Sequence, residues 1–240
     1  MNFIILLTLI LCVVFISTLL RAAFGFGNAL IAMPLLILLL DIKSATPLVS
    51  LIGIITAAAM LFREWRQLEL EDTLYLLLAS LAGIPVGLLF LVTFPEAIVK
   101  GILGLVLMGF GFFSLAGLKL PKIENRLLAI PFGFISGIFG GAYNANGPPI
   151  VIYGLLRAWN KERFRATLQG YFLVTGAVIS AGHGLSGLWT RQVLTYFLAS
   201  LPVVILGVLA GEKITSRTSG DRFNQALNLL LILLGILMFI

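Results

Sequence analysis

Long apolar segments follow one another along almost the whole of this 240-residue chain, with only short polar connections between them. A helix needs about 20 apolar residues to cross a bilayer, and most of the segments approach that length. Charged residues make up only 11% of the chain, against about 25% in a soluble domain. The sequence therefore predicts an all-α polytopic membrane protein, with segments at 2–20, 27–40, 44–62, 73–92, 96–118, 126–140, 148–157, 165–186, 191–211 and 223–240.

Three of the segments are too short to cross a hydrocarbon core of about 30 Å comfortably. They lie at 27–40, 126–140 and 148–157, and a helix rises only about 1.5 Å per residue. Glycine and proline interrupt the chain beside them, in AAFGFGNALIAMP (22–34) and GGAYNANGPP (140–149). Because glycine lets a helix break and proline favours the start of the next one, we expect broken or re-entrant helices at both motifs. Ten crossings and fewer crossings with re-entrant hairpins are both allowed.

The two halves of the chain resemble each other. The tripeptide FIS occurs at 15–17 and again at 134–136, each time shortly before a glycine-rich motif. The tetrapeptide LASL occurs at 78–81 and again at 198–201. Matches in the same order, about 120 residues apart, predict two five-segment repeats in one membrane domain, a first transmembrane repeat at 1–118 and a second at 119–240.

The basic residues divide unevenly when the segments alternate across the membrane. One side receives only Lys43, Lys100 and Arg191 of the 16 basic residues, and the positive-inside rule places the richer side in the cytoplasm. Because five is an odd number, the second repeat is inverted relative to the first, and both termini lie outside. We expect an integral protein of a bacterial or archaeal plasma (inner) membrane, with a cytoplasmic side that holds Arg21, Arg63, Arg66, Lys119, Lys122, Arg126, Arg157, Lys161, Arg163, Arg165, Lys213, Arg217 and Arg222.

All ten acidic residues lie in or beside the polar connections. A buried carboxylate is the usual ligand of a transported cation, so cation transport is disfavoured. Inverted repeats with interrupted helices at matching positions are typical of a transporter binding site near the bilayer midplane. Two helix N-termini directed at one point would offer free N–H donors and partial positive charge, which suits a small anion.

The polar residues of the two breaks each have two interpretations. In the second break, Tyr143, Asn144 and Asn146 either donate hydrogen bonds to an anion or cap the helix that starts near Pro148. Asn28 has the same two interpretations in the first break. Both alternatives stay open at this point, since one residue can be a cap and a ligand.

Three further residues, outside the two breaks, are candidates for the site. Arg21 either binds the anion bidentately or extends its guanidinium to the cytoplasmic surface. Gln169 either faces the cavity or bonds a neighbouring helix. His183, the only histidine, is either a proton relay or an interfacial structural residue. The expected substrate-binding residues are Arg21, Gly25, Gly27, Asn28, Tyr143, Asn144, Asn146, Gly147, Pro148 and Gln169.

Other function classes find little support in the residues. Cys12 is the only cysteine, so we expect no metal site and no cofactor. The GxSxG, HExxH and phosphate-loop patterns are absent from the chain, which makes an intramembrane enzyme or ATPase the least favoured hypothesis. Nucleic-acid binding is unsupported, because the basic residues flank the predicted spans.

The glycine-rich motifs also resemble those of a known family. RAAFGFGNALIAMPLL (21–36) and GFISGIFGGAYNANGPPIVIY (133–153) are similar to the two signature motifs of the TauE/SafE sulfite exporter family. FRATLQGYF (164–172) and LPVVILGVLAGEKI (201–214) resemble its later segments. The first motif departs from the family's common glycine-triplet form and carries Arg21 where glycine is common.

This resemblance implies a carrier of sulfur-containing anions. We expect a secondary transporter, an exporter, that moves sulfite or small organosulfonates by alternating access around a midplane site formed by the two broken-helix motifs. The partners would be the small anionic substrate and membrane lipid. An anion channel or a lipid-carrier phosphate flippase is the alternative, because each can use the same broken helices.

Overall fold

A computed structural model describes residues 2–118, 120–215 and 221–239. These residues form ten α-helices and no β-strand, with short 3-10 turns at Trp65–Gln67 and Arg126–Leu128. The helices are α1 (Phe3–Phe24), α2 (Asn28–Ile37), α3 (Ile42–Glu64), α4 (Leu70–Thr93), α5 (Glu96–Leu115), α6 (Ala129–Tyr143), α7 (Gly147–Leu156), α8 (Lys161–Leu185), α9 (Arg191–Thr215) and α10 (Asp221–Leu237).

Each predicted apolar segment corresponds to one of these helices, and the chain is an all-helical integral membrane protein. Six helices are long and apolar enough to cross a membrane: α1, α3, α4, α5, α9 and α6 together with the 3-10 turn before it. The segment predicted at 126–140 continues to Tyr143 and so has 18 residues, three more than expected. The helices α2 and α7 have only 10 residues each, as the short segments predict.

Helix ends fall at matching places in the two halves. Asp41 caps α3 and Asn160 caps α8, and each side chain accepts the backbone N–H three residues further on at 2.9 Å. Gly25 ends α1 and Asn144 ends α6, both with the left-handed φ that closes a last helical turn, at 87° and 55°. Each pair lies 119 residues apart (160 − 41 and 144 − 25).

Glycines bring α4 and α6 into backbone contact. A Cβ added at Gly83 or Gly87 of α4 would collide with carbonyl oxygens of α6, and one at Gly133, Gly137 or Gly141 of α6 would collide with carbonyl oxygens of α4. Small residues let helices approach closely in a membrane, where packing rather than the hydrophobic effect drives association. These two helices are therefore packed along most of their length.

The remaining helices pack in pairs around this contact. α1 packs on α9, where Gly207 and Gly211 face α1. α3 lies against α8 and α9, α4 also meets α8, and α5 packs on α10. Large apolar side chains on the outer faces, such as Leu78 and Leu198, are exposed, which suits contact with lipid tails.

Ion pairs hold the helix ends together. The carboxylate of Asp72, fully buried in the first turn of α4, accepts a hydrogen bond from Arg157 Nε at 3.0 Å. Arg157 also donates to the carbonyls of Ile123 and Glu124, which ties the connection before α6 to the end of α7. A buried carboxylate needs such pairing to stay charged.

Candidate functional site

A partly open cavity lies where the two breaks meet, and the free space between its walls, including the solvent at its mouth, is about 480 Å³. The first break (Gly25–Gly27) and the second break (Asn144–Asn146) contribute to its wall from opposite halves of the sequence. Helices α3 and α8 complete the wall between them. The lining residues are Arg21, Gly27, Asn28, Ala29, Leu30, Val49, Ser50, Gly53, Asn144, Ala145, Asn146, Gly147, Phe172 and Gly176.

The first break turns the chain with glycines. Gly25 and Gly27 have φ of 87° and 96°, a region that glycine enters without the steric cost borne by other residues. A Cβ at Gly27 would meet no atom within 4 Å, because the residue faces open space. α2 starts directly after it, so the backbone N–H groups of its first turn have no carbonyl four residues earlier within the helix. Asn28, Ala29 and Leu30 in that turn line the cavity.

The second break is held by hydrogen bonds to its asparagines. Asn144 Nδ2 donates to the carbonyl of Thr46 at 2.7 Å. Asn146 Nδ2 donates to Thr175 Oγ1 at 3.0 Å, and its backbone carbonyl accepts the hydroxyl of Ser136 at 2.6 Å. The Asn146 side chain makes no capping bond to α7. The asparagines therefore fasten the second break to α3, α6 and α8.

Three buried hydroxyl groups form a hydrogen-bonded chain that ends at the backbone of the second break. Tyr171 donates to Ser136 Oγ at 2.7 Å, and its hydroxyl lies 2.6 Å from Ser80 Oγ. Ser80 also bonds to the carbonyl of Gly133 at 2.8 Å. All three hydroxyl-bearing residues are fully buried. Satisfied buried networks of this kind rigidify their surroundings, so the second break has little freedom to move.

Among the described residues that line the cavity, Arg21 is the one with a charged side chain. Its Nε and Nη2 donate to Gln169 Oε1 at 3.3 and 2.9 Å, and Nη1 donates to the carbonyl of Gly53 at 3.2 Å. Its guanidinium carbon lies 5.0 Å from the ring centroid of Phe172. The side chain is only 5% exposed, so the alternative that it extends to the cytoplasmic surface is wrong. The packing of α3 and α8 over the end of α1 encloses it.

No carboxylate of the described residues forms an ion pair with Arg21. A buried guanidinium is normally paired, because an isolated charge in a low-dielectric interior is costly. Here only neutral groups, an amide, a carbonyl and an aromatic ring, surround it. The cavity thus carries a positive charge with no protein counter-ion.

Asn28 is the second unusual residue on the wall. It is 4% exposed, and within the described part of the chain neither its Oδ1 nor its Nδ2 has a hydrogen-bond partner. Buried amides in native proteins are almost always bonded, so an unpaired one calls for an explanation such as a missing ligand. It lies at the first residue of α2, beside the free N–H groups of that turn.

Two side chains of α8 hold the first break in place. Gln169 accepts from Arg21 and donates its Nε2 to the carbonyl of Gly25 at 2.6 Å. One turn earlier, Arg165 donates to the carbonyls at the end of α1 and pairs with Glu64 at 3.0 Å. Cationic side chains stabilise a helix C-terminus through its exposed carbonyls. Gln169 thus bonds a neighbouring helix and stands behind Arg21 rather than on the wall.

The other predicted site residues fall around the cavity. Gly147 lines it, whereas Gly25, Tyr143 and Pro148 do not. The ring of Tyr143 packs edge-on against Phe90, and its hydroxyl is buried without a partner. No group of three or more possible metal ligands occurs in the part of the chain that the structure describes.

His183 does not lie on an exposed surface of the protein. It is fully buried, because α3, α4 and α6 surround this end of α8. Its Nδ1 lies 3.2 Å from Ser50 Oγ, and its Nε2 lies 3.4 Å from the carbonyl of Gly141. Ser50 is on the cavity wall, so the histidine is separated from the cavity by one hydroxyl.

The wall that α3 and α8 supply was not predicted from the sequence. Ser50 and Gly53 lie one turn apart on α3, and Phe172 and Gly176 lie one turn apart on α8. The only sequence signal is the helical spacing of small residues with a polar or aromatic one, and such spacing is also typical of plain helix packing.

Comparison with known proteins identifies the family to which the chain belongs. No curated protein and no solved structure matches it. Residues 9–238 of the 240, however, match the family described as sulfite exporter TauE/SafE. The match covers both breaks and every helix that lines the cavity. The family implies a membrane transporter of the sulfite and sulfonate type, and the chain belongs to the TauE/SafE sulfite exporter family.

Proposed function

We propose that the protein is a secondary transporter that exports sulfite or a small organosulfonate, and that the anion binds in the cavity between the two breaks. The observation that carries this proposal is the buried guanidinium of Arg21, which has no carboxylate partner among the described residues. An anion in the cavity would supply the missing counter-charge. It would do so beside a guanidinium that is buried in the protein, where the attraction is stronger than in water.

The donors around the cavity match the oxygens of such an anion. Arg has five N–H donors, and three nitrogens of Arg21 each donate to protein acceptors, which leaves donors for a bidentate contact. The amide of Asn28 and the first N–H groups of α2 add neutral donors on the same wall. Sulfite and sulfonate groups each present three oxygens that accept hydrogen bonds.

We also propose that the two halves are inverted repeats whose relative movement gives alternating access. The helix ends that repeat after 119 residues support this arrangement. The packing also supports it. When each helix is replaced by its counterpart five helices away in the chain, the α4–α6 contact corresponds to the α9–α1 contact, and the α3–α9 contact corresponds to the α8–α4 contact. The distribution of basic residues supports a plasma-membrane orientation with both termini outside.

Flux measurements on the reconstituted protein test this function. Proteoliposomes should take up [35S]sulfite or [14C]isethionate, a sulfonate, with saturable kinetics, and external unlabelled anion should accelerate release of the label. A flux that rises linearly with concentration would instead indicate a channel. Translocation of a lipid phosphate without flux of either anion would indicate the flippase alternative and contradict the proposal.

A further inference from the structure

His183 and Ser50 form a buried pair beside the cavity that anion binding alone does not use. His183 is the only histidine of the chain, and it is fully buried. Ser50 Oγ lies within hydrogen-bond distance of His183 Nδ1, of Ser180 Oγ and of the carbonyl of Pro47, at 3.2, 3.3 and 2.8 Å. It also lines the cavity. A titratable ring thus contacts the substrate space through one rotatable hydroxyl.

The hydrogen bonds define what a proton on the ring would change. Nε2 faces the carbonyl of Gly141, which can only accept, so the neutral ring carries its hydrogen on Nε2 and Nδ1 is an acceptor. Ser50 can then donate to Nδ1. When Nδ1 gains a proton it becomes a donor, and Ser50 Oγ must accept from it. The hydroxyl hydrogen of Ser50 is then available to an acceptor in the cavity.

We propose that the protein carries one proton together with a sulfonate anion, that His183 holds the proton, and that Ser50 links it to the anion; the sum of the two gradients sets the direction, so export requires an outward anion gradient larger than the inward proton gradient. This inference rests on the proposed function. Ser50 passes its hydrogen to Nδ1 and takes another from a hydronium ion that enters the cavity, which leaves a neutral water; on the far side of the cycle the transfer reverses, and a water takes the proton away as hydronium. No bond other than O–H and N–H bonds forms or breaks.

Electrostatics makes the two binding events mutually favourable. Within the described chain the ring is hydrogen-bonded to Ser50 of α3 and Gly141 of α6, Ser50 is bonded in turn to Ser180 of α8, and no charged side chain is hydrogen-bonded to the ring. From α4, it is Leu88 that packs beside this turn of α8, at Gly182. Arg21, which is bonded to the carbonyl of Gly53 one turn from Ser50 on α3, opposes protonation of an empty site. A bound anion offsets that charge, so anion and proton each raise the affinity for the other.

Isethionate uptake under a pH gradient tests the coupling, because a sulfonate stays ionised and carries no proton of its own. With the membrane potential clamped to zero by valinomycin and potassium, an exterior one pH unit more acid should drive about tenfold accumulation for one proton per anion. The His183→Gln variant should retain isethionate exchange, which needs no net proton movement, but should show no accumulation. Ser180→Ala is the matched control, since Ser180 contacts Ser50 but does not line the cavity, and it should accumulate the anion normally.

A second pair of variants protects the test against a misfolded glutamine variant. Ser50→Ala should lose accumulation, whereas Ser50→Thr keeps the hydroxyl and should restore it. Normal accumulation by His183→Gln would overturn the coupling alone. Loss of exchange in a folded His183→Gln protein would also overturn it, because His183 would then act in anion binding. Absence of isethionate exchange by the unsubstituted protein would overturn the coupling together with the sulfonate function on which it rests.

Discussion

The first and second breaks occupy equivalent places in the two halves, yet they are built differently. The first uses two glycines with positive φ and leaves Asn28 unpaired. The second uses asparagines whose side-chain amides are bonded to α3 and α8. α2 begins with residues that all carry N–H groups, whereas Pro148 and Pro149 remove two donors from the first turn of α7.

This difference indicates a division of roles between the breaks. The first break lies between Arg21, which carries the charge, and Asn28, which carries unpaired donors. These flanking residues would supply most of the anion affinity. The second break is already satisfied by protein groups, so it would supply a fixed wall against which the anion rests. Substitutions in the first break should therefore change binding, and those in the second should change stability.

The largest effect is expected from Arg21→Met. This change removes the counter-charge and two charge-assisted hydrogen bonds of about 1.5–3 kcal/mol each, so anion affinity should fall at least about 100-fold. Calorimetric titration of the detergent-solubilised protein with sulfite measures it. Arg191→Met, at the exposed start of α9, is the control and should bind normally. Affinity within about threefold of the unsubstituted protein would remove Arg21 from the site.

Asn28→Ala and Asn146→Ala together test the division of roles. Asn28→Ala removes an amide that has no partner in the described chain, so no protein hydrogen bond is lost. It should weaken sulfite binding about tenfold without lowering the melting temperature. Asn146→Ala breaks the bond to Thr175 and should reduce the free energy of unfolding by about 1–3 kcal/mol. Binding titrations and thermal melts on both variants decide the matter, and the reverse pattern would contradict it.

Tyr171→Phe tests whether the chain of buried hydroxyl groups next to the second break stabilises the protein. The variant leaves Ser136 and Ser80 without their shared partner and should reduce the free energy of unfolding by about 1–3 kcal/mol. Sulfite affinity should change less than in Asn28→Ala. Tyr75→Phe, on the exposed face of α4, controls for the loss of a phenol group. Equal melting temperatures for the two variants would show that the hydroxyl chain contributes little.

The smallest effect concerns the backbone at Asn144. Both Asn144→Gly and Asn144→Ala lose the bond to Thr46, but only alanine is strained at a φ of 55°. The alanine variant should be less stable than the glycine variant by about 1 kcal/mol. We expect this sign because the strain of alanine in the folded state outweighs the larger entropy that glycine gains on unfolding. Denaturant titration of the two variants measures the difference. An alanine variant as stable as the glycine variant would show that the turn can relax.

The sequence predicted the helices and the breaks because each has a local cause. Apolar length gives a spanning helix, and glycines beside asparagine and proline interrupt one. Arg21 and Asn28 could be singled out because polar residues are rare in such segments. Gln169 lies 148 residues from Arg21 in the chain, however, and Ser50 and Phe172 lie within regular helices. Tertiary packing alone brings them to the cavity. The burial of His183 likewise depends on its neighbours, not on its distance from a helix end.

The contact between α4 and α6 has a consequence for how such a protein can move. Its glycines seat each helix on the carbonyl ridge of the other, so a sliding movement by a single turn would drive side chains into backbone. These two helices should travel as one stiff body, and α1 with α9, joined through Gly207 and Gly211, as another. Any hinge that opens the cavity would then lie in the elements between them, where the two glycines of the first break are the point that can bend.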